Sequence, residues 1–166
     1  GKTALIDAGE ANPYIDNGER VIMPLLDHLG VDKIDYGFIS HLDSDHYGGF
    51  VSLIHHDRIK KIIKPPRDTS TTKDQKFESY LVKKDIPFEY YKTEIKKIGN
   101  TRIYTLTGDK INKMKLSHNN KSGVLKIVYG ESEILLTGDI EKQAEEIYTS
   151  SYKEESREND KYRPWR

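Results

Sequence analysis

The sequence predicts an α/β fold, and three stretches carry that prediction. Tyr36 to Ser40 reads as a short buried strand, followed by helical spacing of apolar residues from Gly49 to His55. Val21, Ile22, Leu25, Leu26 and Leu29 repeat at helical intervals and stop at Gly30. Val124 to Tyr129 and Ile134 to Leu136 form a hydrophobic hairpin through Gly130-Glu131. Helices, loops and strands alternate, as an α/β domain requires.

The bulk composition narrows the function classes. At 166 residues the chain is one domain with room for a core. Lys plus Arg and Asp plus Glu are 27 each, so net charge supplies no general attraction to nucleic acid, and any such affinity must come from a local patch. No apolar run approaches a membrane span. Without cysteine there is no disulfide framework, and every metal ligand must be His, Asp or another oxygen donor.

In chain order, Lys2 to Asp7 is a short strand. Gly1-Lys2 reads as the tip of a hairpin whose first strand is absent, and neither an initiator Met nor a targeting signal precedes it. Asn17 to Leu29 is the first helix, with His28 in its last turn, where an imidazole meets the carbonyl end of the helix. His55 and His56 project about 100° apart on a helix, so they do not face one ion and fit a surface or capping role. Arg58, Lys60, Lys61, Lys64 and Arg67 surround an Ile62-Ile63 strand ending at Pro65-Pro66. That run reads as a solvated strand edge, with contact to a phosphate backbone left open. A polar connector, Asp68 to Lys73, leads to a helix from Asp74 to Lys84. Ile86 to Lys92, Ile95 to Ile98 and Arg102 to Leu106 read as strands, the last two joined by Gly99-Asn100. Glu141 to Tyr152 is an amphipathic helix closing a domain over 1–152, and 153–166 is a charged, featureless tail. The tyrosines are dispersed and make no platform for stacking bases.

The chemistry concentrates between Ile39 and Phe50, where His41, Asp43, Asp45 and His46 crowd a loop at a strand end. Residues two apart in an extended segment point the same way, so His41 and Asp43 can grip one ion. Asp45 and His46 come where the chain turns and can address a second. Imidazole with carboxylate suits zinc, manganese or iron, and paired ions are a recurrent device for hydrolysis. Gly48 and Gly49 are expected to admit backbone conformations closed to other residues and to let substrate approach closely. A calcium loop starting at Asp43 fails, because Tyr47 and Ile54 stand where an oxygen ligand and a bidentate Glu belong.

His-x-Asp-x-Asp-His-x-Gly-Gly resembles the signature of metallo-β-lactamase-fold hydrolases, whose common form is His-x-His-x-Asp-His. Asp43 in the second ligand place is similar to the hydrolase domain of bacterial DNA-uptake (competence) proteins of the ComEC type. Leu5-Ile6-Asp7-Ala8-Gly9 resembles the family's first motif, whose Asp is a structural acid near the metals, although Asp7-x-Gly9 is also ordinary turn chemistry. His118-Asn119-Asn120-Lys121-Ser122 resembles the third motif, and Leu135-Leu136-Thr137-Gly138-Asp139 the fourth, whose Asp bridges both metals. Leu-Thr-Gly-Asp also ends at Asp109, but only Asp139 follows a full hairpin downstream of His118, so Asp109 is taken as a turn residue.

The resemblance implies an αββα sandwich, here partial, with two sheets face to face, helices outside and metals at one edge. It implies two divalent ions, zinc, manganese or iron, with His41, Asp43 and His118 on the first, Asp45 and His46 on the second, and Asp139 bridging. Asp45 would also orient a metal-bound hydroxide that attacks a phosphodiester, with single-stranded DNA as the expected partner. Asn119, Asn120 and Ser122 are expected at the substrate, the two Asn either donating to it or setting the loop. A further His that the family places on a later strand is absent, so either the chain is a fragment cut at both ends, which the hairpin-like start favours, or the second metal site is incomplete and activity is lost. A free-standing form would be cytoplasmic, whereas a parent in a competence channel would carry a membrane portion and work at the outer face. Two other classes are a hydrolase of small esters, thioesters or lactams, and a catalytically silent metal-binding module.

Overall fold

In the computed structural model, backbone structure is described for residues 1–158, and side chains for these residues except 109, 110 and 151–158. Four short apolar runs pair in parallel in the order β1 (Ala4–Ile6), β2 (Tyr36–Phe38), β3 (Ile62–Lys64), β4 (Phe88–Tyr90). Parallel neighbours need crossover connections, and helices supply them. They are α1 (Met23–His28), α2 (Ser44–His55) and α3 (Lys73–Lys83). A second sheet is antiparallel, in the order β5 (Glu94–Ile98), β6 (Thr101–Thr105), β7 (Leu125–Tyr129), β8 (Ser132–Leu136). Gly99 and Gly130, at φ of 59° and 58°, turn its two tight hairpins.

Alternation along the strands divides the core into two layers. Ile39 and Ile62 join Leu26, Phe50, Leu53, Phe77 and Leu81 between the first sheet and α1–α3. Phe38 and Ile63, the adjacent positions, face Ile103 and Leu125 of the second sheet, with Tyr91 between them. The two sheets thus pack face to face, as expected.

Several elements differ in detail from the sequence reading. The first helix opens as a π-helical turn, Gly18–Ile22, before α1. Strand β3 lies between β2 and β4 and is not an edge. Its flanking cations are held by carboxylates of the same chain. Arg58 pairs with Asp27, Lys60 with Asp35 and Lys61 with Glu89, at 2.8, 2.9 and 2.6 Å. Lys64, 0% exposed, donates to Asp74 and Glu78, and Arg67 closes on Glu78. The run is therefore tied into the fold by ion pairs, with Lys64 buried and Lys60 and Arg67 still half-exposed. His56 pairs with Glu19 at 3.2 Å, in keeping with a surface role. Helix α4 (Asp109–Lys113) starts at Asp109. Helix α5 (Lys142–Glu158) runs past Tyr152, since Lys, Glu and Arg favour helix; the rest of the expected tail lies outside the described residues. Among the described residues no helix is long and apolar enough to cross a membrane.

Candidate metal centre

The C-terminal ends of the parallel strands set the site, the usual place for ligands in α/β sheets. β2 delivers Ile39, Ser40 and His41, and α2 begins three residues later at Ser44. Asp45 and His46 therefore stand in the first helical turn, where the sequence suggested a loop. Asp43 takes the N-cap position in extended conformation, yet its side chain makes no cap bond. Its carboxylate is turned elsewhere: Oδ1 accepts from Lys73 Nζ at 2.9 Å, and Oδ2 lies 3.5 Å from His41 Nε2. The Lys73 hydrogen bond holds this carboxyl below the usual carboxylate range.

Three pieces of chain converge here. Ligand atoms of His41, His46 and Asp139 all lie within 4.8 Å of one another. Asp139 follows β8 and the turn at Gly138, and its two oxygens face different rings, Oδ2 at 3.8 Å from His41 Nε2 and Oδ1 at 3.4 Å from His46 Nε2. Asp45 Oδ2 lies 3.7 Å from His46 Nε2. The His118 ring sits 5.7 Å from that of His41.

With Asp7 ionised, the hydrogen bonds favour one tautomer for each neutral ring. Asp7 Oδ1 accepts from Ser40 N at 2.8 Å, and its Oδ2 accepts from Ser40 Oγ at 2.7 Å and from His46 Nδ1 at 2.8 Å. The single hydroxyl proton of Ser40 goes to Asp7, so Ser40 Oγ accepts from His41 Nδ1 at 3.1 Å. In that tautomer each neutral imidazole presents an Nε2 lone pair toward Asp139. Among the described residues, His41 Nε2 and His118 Nε2 are buried without a hydrogen-bond partner. Buried imidazole nitrogens without partners are costly, and a cation among them and the carboxylates would satisfy them. The donor set suits one or two such ions.

Electrostatics separates the two rings. Burial, helped by the neighbouring His46, pushes His41 below its ordinary value. Burial acts the same way on His46, but the hydrogen bond and charge of Asp7, with Asp139 and Asp45, outweigh it and raise His46.

Other expected contacts change role. Asn120 is 2% exposed, donates through Nδ2 to Glu141 Oε2 at 2.9 Å and accepts Glu141 N at 2.8 Å. Ser122 is 0% exposed beneath Gly138, where a Cβ would stand 2.9 Å from the Cβ atoms of Ser122 and Ser40. Both side chains are thus closed to solvent in this structure, and the contacts of Asn120 fit loop-setting, one of the two roles open to it. Asn119, half-buried in a short 3-10 turn, remains beside His118. Gly48 and Gly49 adopt no left-handed backbone. A Cβ there would stand 2.3 Å from Ala11 N and 2.2 Å from Ala8 O, so their smallness admits the chain's own first loop, not a substrate. Ser40, Lys73 and Glu141 were missed because each acts through a ligand or loop and belongs to no spacing pattern.

A family model described as the metallo-beta-lactamase superfamily matches residues 1–164. ComE operon protein 3 of Bacillus subtilis (strain 168) is 29% identical over 130 residues, which is 78% of this chain and 16% of that protein's length. Among solved structures, the metallo-beta-lactamase fold protein YhfI from Bacillus subtilis aligns at 16% identity and a TM-score of 0.53, over 81% of this chain and 50% of that one. The flavodiiron protein from Giardia intestinalis aligns at 16% identity and a TM-score of 0.53, over 81% of this chain and 29% of that one. At such identities these structures show a shared fold alone.

Proposed function

Because the chain belongs to the metallo-beta-lactamase superfamily, we propose that it is a metal-dependent hydrolase of phosphodiester bonds, with single-stranded DNA as its substrate class. The observation that carries this reading is Asp139 facing His41 with one oxygen and His46 with the other, as an acid shared by two ions would. His41, Asp43 and His118 would hold one ion, Asp45 and His46 the second, and Asp139 both. Zinc, manganese and iron all fit, and the hard Asp43 oxygen favours manganese or iron over zinc. Ions bound there acidify a water and draw charge from a phosphoryl oxygen.

The chain's own groups do the rest. Asp45, its side chain 66% exposed, is open to orient an attacking water and take its proton. Lys73, beside Asp43, supplies a positive charge at the rim for an anionic substrate. The DNA assignment rests on the likeness to ComE operon protein 3 and on the ComEC-type form of the motif. That relative is far longer, so its activity, membrane setting and partners enter here as part of the proposal.

The test measures hydrolysis of single-stranded DNA, a chromogenic phosphodiester, a thioester and a lactam with manganese or zinc added. Metal-dependent DNA or phosphodiester cleavage, lost together with bound metal in Asp43→Ala, is expected. Cleavage of the thioester or lactam alone, or full nuclease activity in Asp43→Ala, overturns it.

A further inference from the structure

Each histidine at the centre has an oxygen on its Nδ1 side: Ser40 Oγ at 3.1 Å from His41 and Asp7 Oδ2 at 2.8 Å from His46, both within hydrogen-bond reach, and Asp68 Oδ2 at 3.7 Å from His118, a charge facing the ring from beyond that reach. The first two partners lie in or beside the recognised motifs. Asp68 lies in the polar connector between β3 and α3, which no motif reading touched. We propose that Asp68 is a positioning residue that orients the His118 ring toward the metal centre; this rests on the reading of His118 as a metal ligand.

Asp68 is itself held. Its Oδ1 accepts from Ser70 N at 2.8 Å and from Ser70 Oγ at 2.6 Å, an Asx turn that leaves Oδ2 free. That oxygen stands 3.7 Å from His118 Nδ1. The opposite ring atom, Nε2, is buried and lacks a hydrogen-bond partner, on a ring 5.7 Å from His41. A negative charge on the Nδ1 side favours the tautomer with its proton there and its lone pair on Nε2, and a sub-ångström approach of Asp68 would complete the hydrogen bond that outer carboxylates make to ligating histidines. The connector is rooted where it leaves β3, because Lys64 Nζ donates to Pro65 O, Asp74 and Glu78 at 2.8, 2.9 and 3.0 Å. Asp68 is thus carried on a segment anchored by buried charge.

Calorimetric titration of the metal-free protein with manganese or zinc tests this, with melting of the metal-free form and histidine-ring nitrogen NMR as further readouts. Asp68→Ala should bind the same number of ions, one of them about 10 to 100 times more weakly. Its metal-free melting temperature should not change, and the His118 nitrogen signals should move from one tautomer toward an average. Asp68→Asn, which keeps an oxygen acceptor, should recover part of the affinity. Wild-type affinity and unchanged His118 signals in Asp68→Ala, while His118→Ala loses an ion, refute the role of Asp68 and leave the hydrolase reading standing. Weakening that only follows a lowered metal-free melting temperature also refutes it. Wild-type stoichiometry in His118→Ala overturns the ligand assignment beneath.

Discussion

Asp7 Oδ2 stands 2.8 Å from His46 Nδ1, on a residue held at a positive φ of 51°. A left-handed non-glycine residue costs of order 1 kcal/mol and persists where the surroundings over-determine it. Here they do, since Asp7 also accepts from the backbone and hydroxyl of Ser40. The acid read from the sequence as structural therefore acts on two candidate ligands, directly on His46 and through Ser40 on His41.

Asp7→Asn keeps a residue type that tolerates this backbone but removes the charge that raises His46. Burial then dominates, so the His46 value should fall, read as its ring-proton NMR titration. Metal retained after dialysis should drop, with affinity lower by about 10 to 100 times. An unmoved His46 titration would refute the assigned network.

Gly49→Ala tests the reassigned Gly-Gly pair. Its new Cβ would stand 2.2 Å from Ala8 O and 2.9 Å from Gly18 N, both backbone atoms that cannot swing aside. A loss of about 1–3 kcal/mol in urea unfolding is expected. Val51→Ala, at an exposed position on the same helix, should stay within about 0.5 kcal/mol. Equal stabilities in the two variants would remove the packing explanation.

What the sequence disclosed, and what it hid, follows from the range of the interactions. The α/β alternation was legible because helical and strand spacing are local signals, whereas the αββα layering and the grouping of His41 and His46 with Asp139 came from the motif resemblance, since no local pattern joins residues so far apart. The first turn of α2 was misread as a loop because Gly48 and Gly49 are poor helix formers, yet tertiary packing against Ala8 and Ala11 overrides propensity. The run around β3 was misread because its carboxylate partners, among them Asp27, Glu78 and Glu89, are distant in sequence. No periodicity announces an ion pair.

Asn120 separates loop-setting from substrate contact. Asn120→Ala takes the acceptor from Glu141 N and one of two donors from Glu141 Oε2, which keeps Ser117 Oγ, a loss of about 1 kcal/mol. Stability should fall while KM for a phosphodiester changes little at saturating metal. A raised KM with unchanged stability would restore Asn120 to the substrate.

The buried charges at the root of the Asp68 connector make stability pH-dependent. Glu78 is buried, which by itself would raise its carboxyl, but hydrogen bonds from Arg67, Lys64 and Tyr90 and the charge of Lys64 hold it below its ordinary value. The unfolded chain therefore binds this proton first as pH falls below about 4.3. Stability from Glu78 is complete above that point and is lost as pH drops through the folded value. Removing the charge leaves Lys64, 0% exposed, with Asp74 as its one remaining ionic partner among the described residues, so Glu78→Gln should be less stable at neutral pH. It should also lose less on acidification, because the group that distinguishes the folded from the unfolded proton count is gone. Urea midpoints for both proteins at about pH 7, 5 and 3 read the difference. Parallel curves across that range would show that Glu78 is not held below its ordinary value, and the buried cluster would not be a source of acid sensitivity.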